Sequence, residues 1–242
     1  MSPVACQHSN SRRPMESHKI RSDRHPTLHT QQTYWGYEDI GLFFFSSVFL
    51  GVLLRSAVRL RLLNPSSLNQ PTLMLQVVVL LYLMACLYTI LKLRYRRHVW
   101  RALGWTRPSL GFGVIGLFGG AALGVPVTLF VRWAGWLMPP IRLLDLAVLG
   151  ALLGPVLEES FFRGCLLPVL ARTAGVPVAI GLSAVLFTAL HKPPTLAQWL
   201  CFTATGAAYG WIRVKSRSTT AAMLMHSAYN VTLFLCQVAR LC

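Results

Sequence analysis

Acid is scarce in this chain. Of its 242 residues seven are Asp or Glu, against 23 Lys or Arg. Glu16, Asp23, Glu38 and Asp39 all precede residue 40, so Asp145, Glu158 and Glu159 are the only carboxylate side chains in everything that follows. Charged residues of both signs reach 12%, where a soluble domain carries roughly 25%. With 54% hydrophobic residues and a mean hydropathy of +0.52, that excludes an ordinary soluble domain. The six cysteines show no CxxC spacing, and four of them (Cys86, Cys165, Cys201, Cys236) fall inside apolar runs, so neither a disulfide framework nor a thiolate zinc site is expected. The first 33 residues lack an apolar run beside a small-residue cleavage site, and no cleaved signal peptide is expected. No internal repeat of 20 to 50 residues occurs, which argues against a solenoid.

What is present is apolar sequence in span-length pieces. A transmembrane helix needs about 20 mostly apolar residues, and runs at 40–54, 72–91, 110–131, 141–170, 176–191, 195–212 and 219–238 fit that need. The expected fold is therefore all-α: a polytopic membrane helical bundle of about seven transmembrane helices. Residues 1–33, rich in Ser, His, Arg, Pro and Gln, read as a disordered polar and basic tail. Residues 34–242 read as one integral membrane bundle, opened by the interfacial aromatics Tyr34, Trp35 and Tyr37. In the third run Gly116, Gly119, Gly120 and Gly124 put small residues at i and i+4, a face another helix can approach closely. Pro139 and Pro140 stop that run.

The formal net charge of +16 does not imply nucleic acid, because the basic residues lie in short clusters between apolar runs. They mark membrane sidedness instead. Sixteen fall with the tail and the alternate connections on its side, seven on the other, which puts the N-terminus in the cytoplasm and, after seven spans, Cys242 outside. A cell-membrane location with the bilayer as the chief partner follows. The sequence specifies no oligomeric state.

Ionisable groups at bilayer depth cost about 2.5–3.5 kcal/mol each or more on insertion scales, so they are normally partnered and functional. Here they are Glu158, Glu159, Arg163, His191 and His226, to which the neutral Asn230 is added. Glu159 and Arg163 are i and i+4 and can pair on one helix face, which leaves Glu158 available. Phe187 and His191, and His226 and Asn230, share the same spacing. Any one of these alone reads equally well as a helix-packing contact. Together they supply a general base, proton carriers and an amide donor, the set needed to activate water and stabilise an oxyanion.

Glu158-Glu159-x-x-x-Arg163, Phe187-x-x-x-His191 and His226-x-x-x-Asn230, in that order on successive late helices, resemble the CPBP family of intramembrane proteases, which includes the type II CAAX prenyl endopeptidases and bacteriocin-immunity proteins. The resemblance implies an intramembrane glutamic endopeptidase whose motif region covers about 141–238. It implies that Glu158 activates the attacking water with help from His191, and that His226 and Asn230 stabilise the oxyanion. Glu159, Arg163 and Phe187 are then supporting residues. The substrate is a membrane-embedded or membrane-associated protein, CAAX-type prenylated proteins included. No cofactor is expected. A zinc-dependent variant would take Glu158, His191 and His226 as ligands, although the HExxH helix is missing. Two other classes compete: a non-catalytic immunity or scaffold protein of the same fold, and a transporter or proton relay, for which paired repeats are missing.

Overall fold

A computed structural model describes residues 34–62, 73–96, 98–133 and 142–239. The expectations for the tail at 1–33, for the prolines at 139 and 140, and for Cys242 lie outside the described residues.

The described residues are helical, with no strand among them. Seven long helices and one short one follow in order: α1 (Tyr37–Arg59), α2 (Leu73–Tyr95), the single turn α3 (Val99–Ala102), α4 (Leu110–Trp133), α5, α6 (Val176–His191), α7 (Leu196–Ser216) and α8 (Thr219–Val238). The helix α5 runs without a break through the segments Leu143–Asp145, Leu146–Leu153, Gly154–Glu159, Ser160–Leu166 and Leu167–Ala174. Among the described residues three helices, Tyr37–Arg59, Leu73–Tyr95 and Leu110–Phe130, are long and apolar enough to cross a membrane, and Val176–His191 is a shorter apolar helix. They leave large apolar side chains such as Phe45, Val48, Met74, Leu110 and Phe118 exposed. In water that surface would be untenable, whereas against acyl chains it is expected.

Helix α1 begins earlier than its hydropathy implies because its first turn is built for a helix start. Glu38 and Asp39 complement the N-terminal dipole, and the Gly36 N–H donates to Asp39 Oδ2 at 2.9 Å. Asp39 is itself buried, faced by Arg94 Nε at 3.1 Å and accepting from Tyr95 Oη at 2.6 Å, so the start of α1 is clasped to the end of α2. Trp35, just before the start of α1, turns into the bundle rather than outward. It is buried, and its Nε1 donates to Cys165 O at 3.0 Å.

The glycines of α4 form the expected close face. A Cβ at Gly120 would lie 2.1 Å from Met225 O, one at Gly116 would lie 2.9 Å from Ala221 O, and one at Gly124 would lie 2.8 Å from Thr232 Cβ. Helix α8 therefore packs backbone to backbone on α4 along three turns, an approach closed to any larger residue.

Helix α5 carries two π-helical stretches, Leu146–Leu153 and Ser160–Leu166, on either side of the segment Gly154–Glu159. Each closes with an i→i−5 bond: the Gly154 N–H donates to Leu149 O and the Leu167 N–H to Phe162 O. Each is followed at once by a proline, Pro155 or Pro168, which has no N–H to continue the α-helical ladder. The turn from α5 into α6 is Gly175, at φ +80, a conformation that side chains other than glycine rarely adopt.

Candidate active site

Glu158 lies seventeen residues before Gly175 and His191 sixteen after it, so an antiparallel hairpin brings the two nearly level. A glutamate in mid-helix and a histidine at a helix end are thus brought to one level. Helix α6 ends at His191, with Lys192 left-handed at φ 49 and Pro193 next, while α5 continues past the same level toward Leu143.

Glu159 and Arg163 pair as the i,i+4 spacing predicts, with Nη1 to Oε1 at 3.1 Å, and both side chains are fully buried. The pair does more than shape its own helix. Arg163 Nη2 donates to Gly206 O of α7 at 2.8 Å, and Glu159 Oε1 also accepts from His226 Nδ1 of α8 at 2.9 Å. Around the guanidinium stand the rings of Phe187, Tyr209 and Phe162, with centroids 4.7, 5.2 and 5.6 Å from its carbon. Phe187 also stacks obliquely on His191 at 4.4 Å, and Tyr209 lies nearly parallel to His226 at 4.8 Å. These rings form the dry wall behind both imidazoles.

The two histidines are prepared in the same way. His191 Nδ1 is 2.8 Å from Phe187 O, which can only accept, so Nδ1 carries the proton. His226 Nδ1 donates to the Glu159 carboxylate. In their neutral forms both rings therefore present a bare Nε2, and both of these atoms lie 3.9 Å from Glu158 Oε2. That oxygen has no hydrogen-bond partner among the described residues. The side chains of Glu158 and His191 remain 27% and 31% exposed while that of His226 is 6% exposed, so the α6 end of the site is the open one.

Asn230 sits one turn beyond His226 on α8, half-buried, and its Nδ2 donates to Gly150 O of α5 at 2.7 Å. Ser227 Oγ donates to the adjacent Ala151 O at 2.8 Å. Glu158, Glu159, Arg163, Phe187, His191 and His226 thus belong to one cluster of α5, α6 and α8, and Asn230 lies beside it on Gly150 O, one turn along α8. Sequence reasoning did not single out Tyr209 or Ser227. Tyr209 had one visible signal, as the lone aromatic in the small-residue stretch Gly206-Ala207-Ala208-Tyr209-Gly210.

For zinc the donor types fit better than the spacing. A tetrahedral ion bound at about 2.0–2.1 Å needs ligand atoms about 3.3 Å apart. The Nε2 atoms of His191 and His226 each lie 3.9 Å from Glu158 Oε2, and among the described residues no group of three His, Cys, Asp or Glu forms a metal-binding cluster.

Residues 140–232 match the family model described as Type II CAAX prenyl endopeptidase Rce1-like. That stretch is CAAX-protease-like, as the three motifs indicate, and it holds every site residue named above. Neither the curated proteins nor the solved structures include a match to the chain.

Proposed function

We propose that this protein is an intramembrane glutamic endopeptidase, hydrolysing peptide bonds of membrane-embedded or membrane-associated proteins, CAAX-type prenylated ones among them. The observation that carries the reading is the unpartnered Oε2 of Glu158 facing the Nε2 atoms of His191 and His226 at 3.9 Å each. That spacing is too long for a direct hydrogen bond and suits a water oxygen bonded at about 2.8 Å to carboxylate and imidazole together. Glu158 takes a proton from this water as its oxygen bonds to the scissile carbonyl carbon. The C–N bond then breaks, and the leaving amine receives the proton with His191 assisting.

The carbonyl oxygen becomes an oxyanion that needs donors. With Nδ1 held by Glu159, His226 donates from Nε2 only as the imidazolium, for which the carboxylates of Glu159 and Glu158 are the counter-charges. Asn230 has two amide hydrogens, one on Gly150 O and the second for the oxyanion. Glu159, Arg163 and Phe187 hold the site in shape. The bundle crosses the cell membrane about seven times with a cytoplasmic N-terminus, and the mechanism takes no cofactor.

The test is cleavage. Membrane proteomics of cells carrying the parent or Glu158→Gln should show peptides that vanish in the variant while the folded protein stays in the membrane. Equal cleavage by both would overturn the assignment, and a parent that cleaves nothing would favour the immunity or scaffold alternative. Activity of the purified chain should survive a strong chelator; loss restored by added zinc would favour the zinc variant of the same site.

A further inference from the structure

We infer that Pro155 is a positioning residue of this site: by withholding a backbone N–H from the Gly150 carbonyl, it fixes the side-chain amide of Asn230. The part of this that concerns catalysis rests on the endopeptidase reading.

A helical carbonyl is served by the N–H four residues on, or five in a π-turn. For Gly150 the first candidate is Gly154, whose N–H instead donates to Leu149 O. The second is Pro155, which has none. The Gly150 carbonyl is thus left without a helical donor in a segment read as lying within the membrane, where an unsatisfied carbonyl is costly. Its i+1 neighbour Ala151 loses its four-residue donor to the same proline. Helix α8 supplies both deficits, with Asn230 Nδ2 on Gly150 O at 2.7 Å and Ser227 Oγ on Ala151 O at 2.8 Å.

Local sequence enforces the arrangement. A Cβ at Gly154 would lie 2.6 Å from Leu149 O, so the π-turn needs glycine there. The same position is 3.8 Å from Glu158 Oε1, which puts the turn against the carboxylate. Because the two N–H bonds of an amide diverge by about 120°, anchoring one on Gly150 O aims the other. Pro155 therefore acts through Asn230 and touches no reacting atom.

The experiment uses the full-length chain purified in detergent as parent, Pro155→Ala, Asn230→Leu and the double variant, with thermal unfolding and turnover measured on each. Leucine fills the space of Asn230 without a donor. In the parent background it should lower the unfolding midpoint by about 5 °C. In the Pro155→Ala background, where a helical N–H is again available to Gly150, it should lower the midpoint hardly at all. Pro155→Ala alone should keep or raise the midpoint, yet lose about 10- to 100-fold in kcat with KM unchanged, a split that plain helix repair would not produce. Equal midpoint shifts from Asn230→Leu in both backgrounds would overturn the proposal, as would unchanged kcat in Pro155→Ala. If Pro155→Ala fails to fold, Pro155→Leu, which also carries an N–H, replaces it with the same expected outcomes. If the parent cleaves nothing, the endopeptidase reading fails while the midpoint coupling still decides the Pro155–Asn230 linkage.

Discussion

Glu158 and Glu159 are neighbours in sequence and opposites in surroundings. Glu159 has no exposed surface and shares one oxygen between a guanidinium and an imidazole, so its charge is matched from two helices. Removing one partner of a buried ion pair typically costs about 3–5 kcal/mol. Glu159→Gln should therefore lose stability of that order in denaturant or thermal unfolding while keeping part of its turnover, the reverse of Glu158→Gln. The split between the two was legible from i,i+4 spacing alone. The second partner was not, because 67 residues separate Glu159 from His226 and only packing brings them together. The same holds for Tyr209, whose ring lies against His226, and for Asn230. Spacing gave Asn230 a face shared with His226 but could not reveal that one of its amide hydrogens is engaged by a carbonyl on another helix.

At the scale of elements, the bounds at 176–191 and 219–238 were legible because Gly175, Pro193 and the basic run before Thr219 punctuate the sequence there. Helices α1 and α2 run on to Arg59 and Tyr95, past the end of their apolar runs, since the long stems of Arg and Lys extend a span without burying the charge. The π-turns of α5 were invisible to a period of 3.6 and show in the sequence only as the prolines that follow them. The glycine face of α4 was legible as a packing face, and its partner was not. Because a Cβ at Gly120 would lie 2.1 Å from the Met225 carbonyl, Gly120→Leu should separate α4 from α8 and shift His226 with it. The expected result is a drop in both thermal stability and turnover, against near-neutral behaviour for Gly111→Leu, where nothing lies within 4 Å. Equal tolerance at the two positions would refute the close packing.

For the whole molecule, the excess of basic residues beside the tail is the ground for the proposed orientation. Arg163 and Arg213, counted in that excess, are buried in the bundle, which leaves fourteen against seven and keeps the sign. Reporter fusions should accordingly find the connection between α2 and α4 in the cytoplasm and the connection between α6 and α7 on the other side; the reverse result would invert the orientation. At sixteen residues α6 rises about 24 Å, short of the roughly 30 Å of hydrocarbon it would have to cross. Its last residue, His191, is where the site is open. If the site hydrolyses peptides as proposed, lipid thickness becomes a determinant of its reactivity. Under the proposed mechanism a thin bilayer would bring the aqueous boundary down to the end of α6, while a thick one would draw acyl chains over Lys192 and withhold water from the Glu158 carboxylate, with no change in the protein at all.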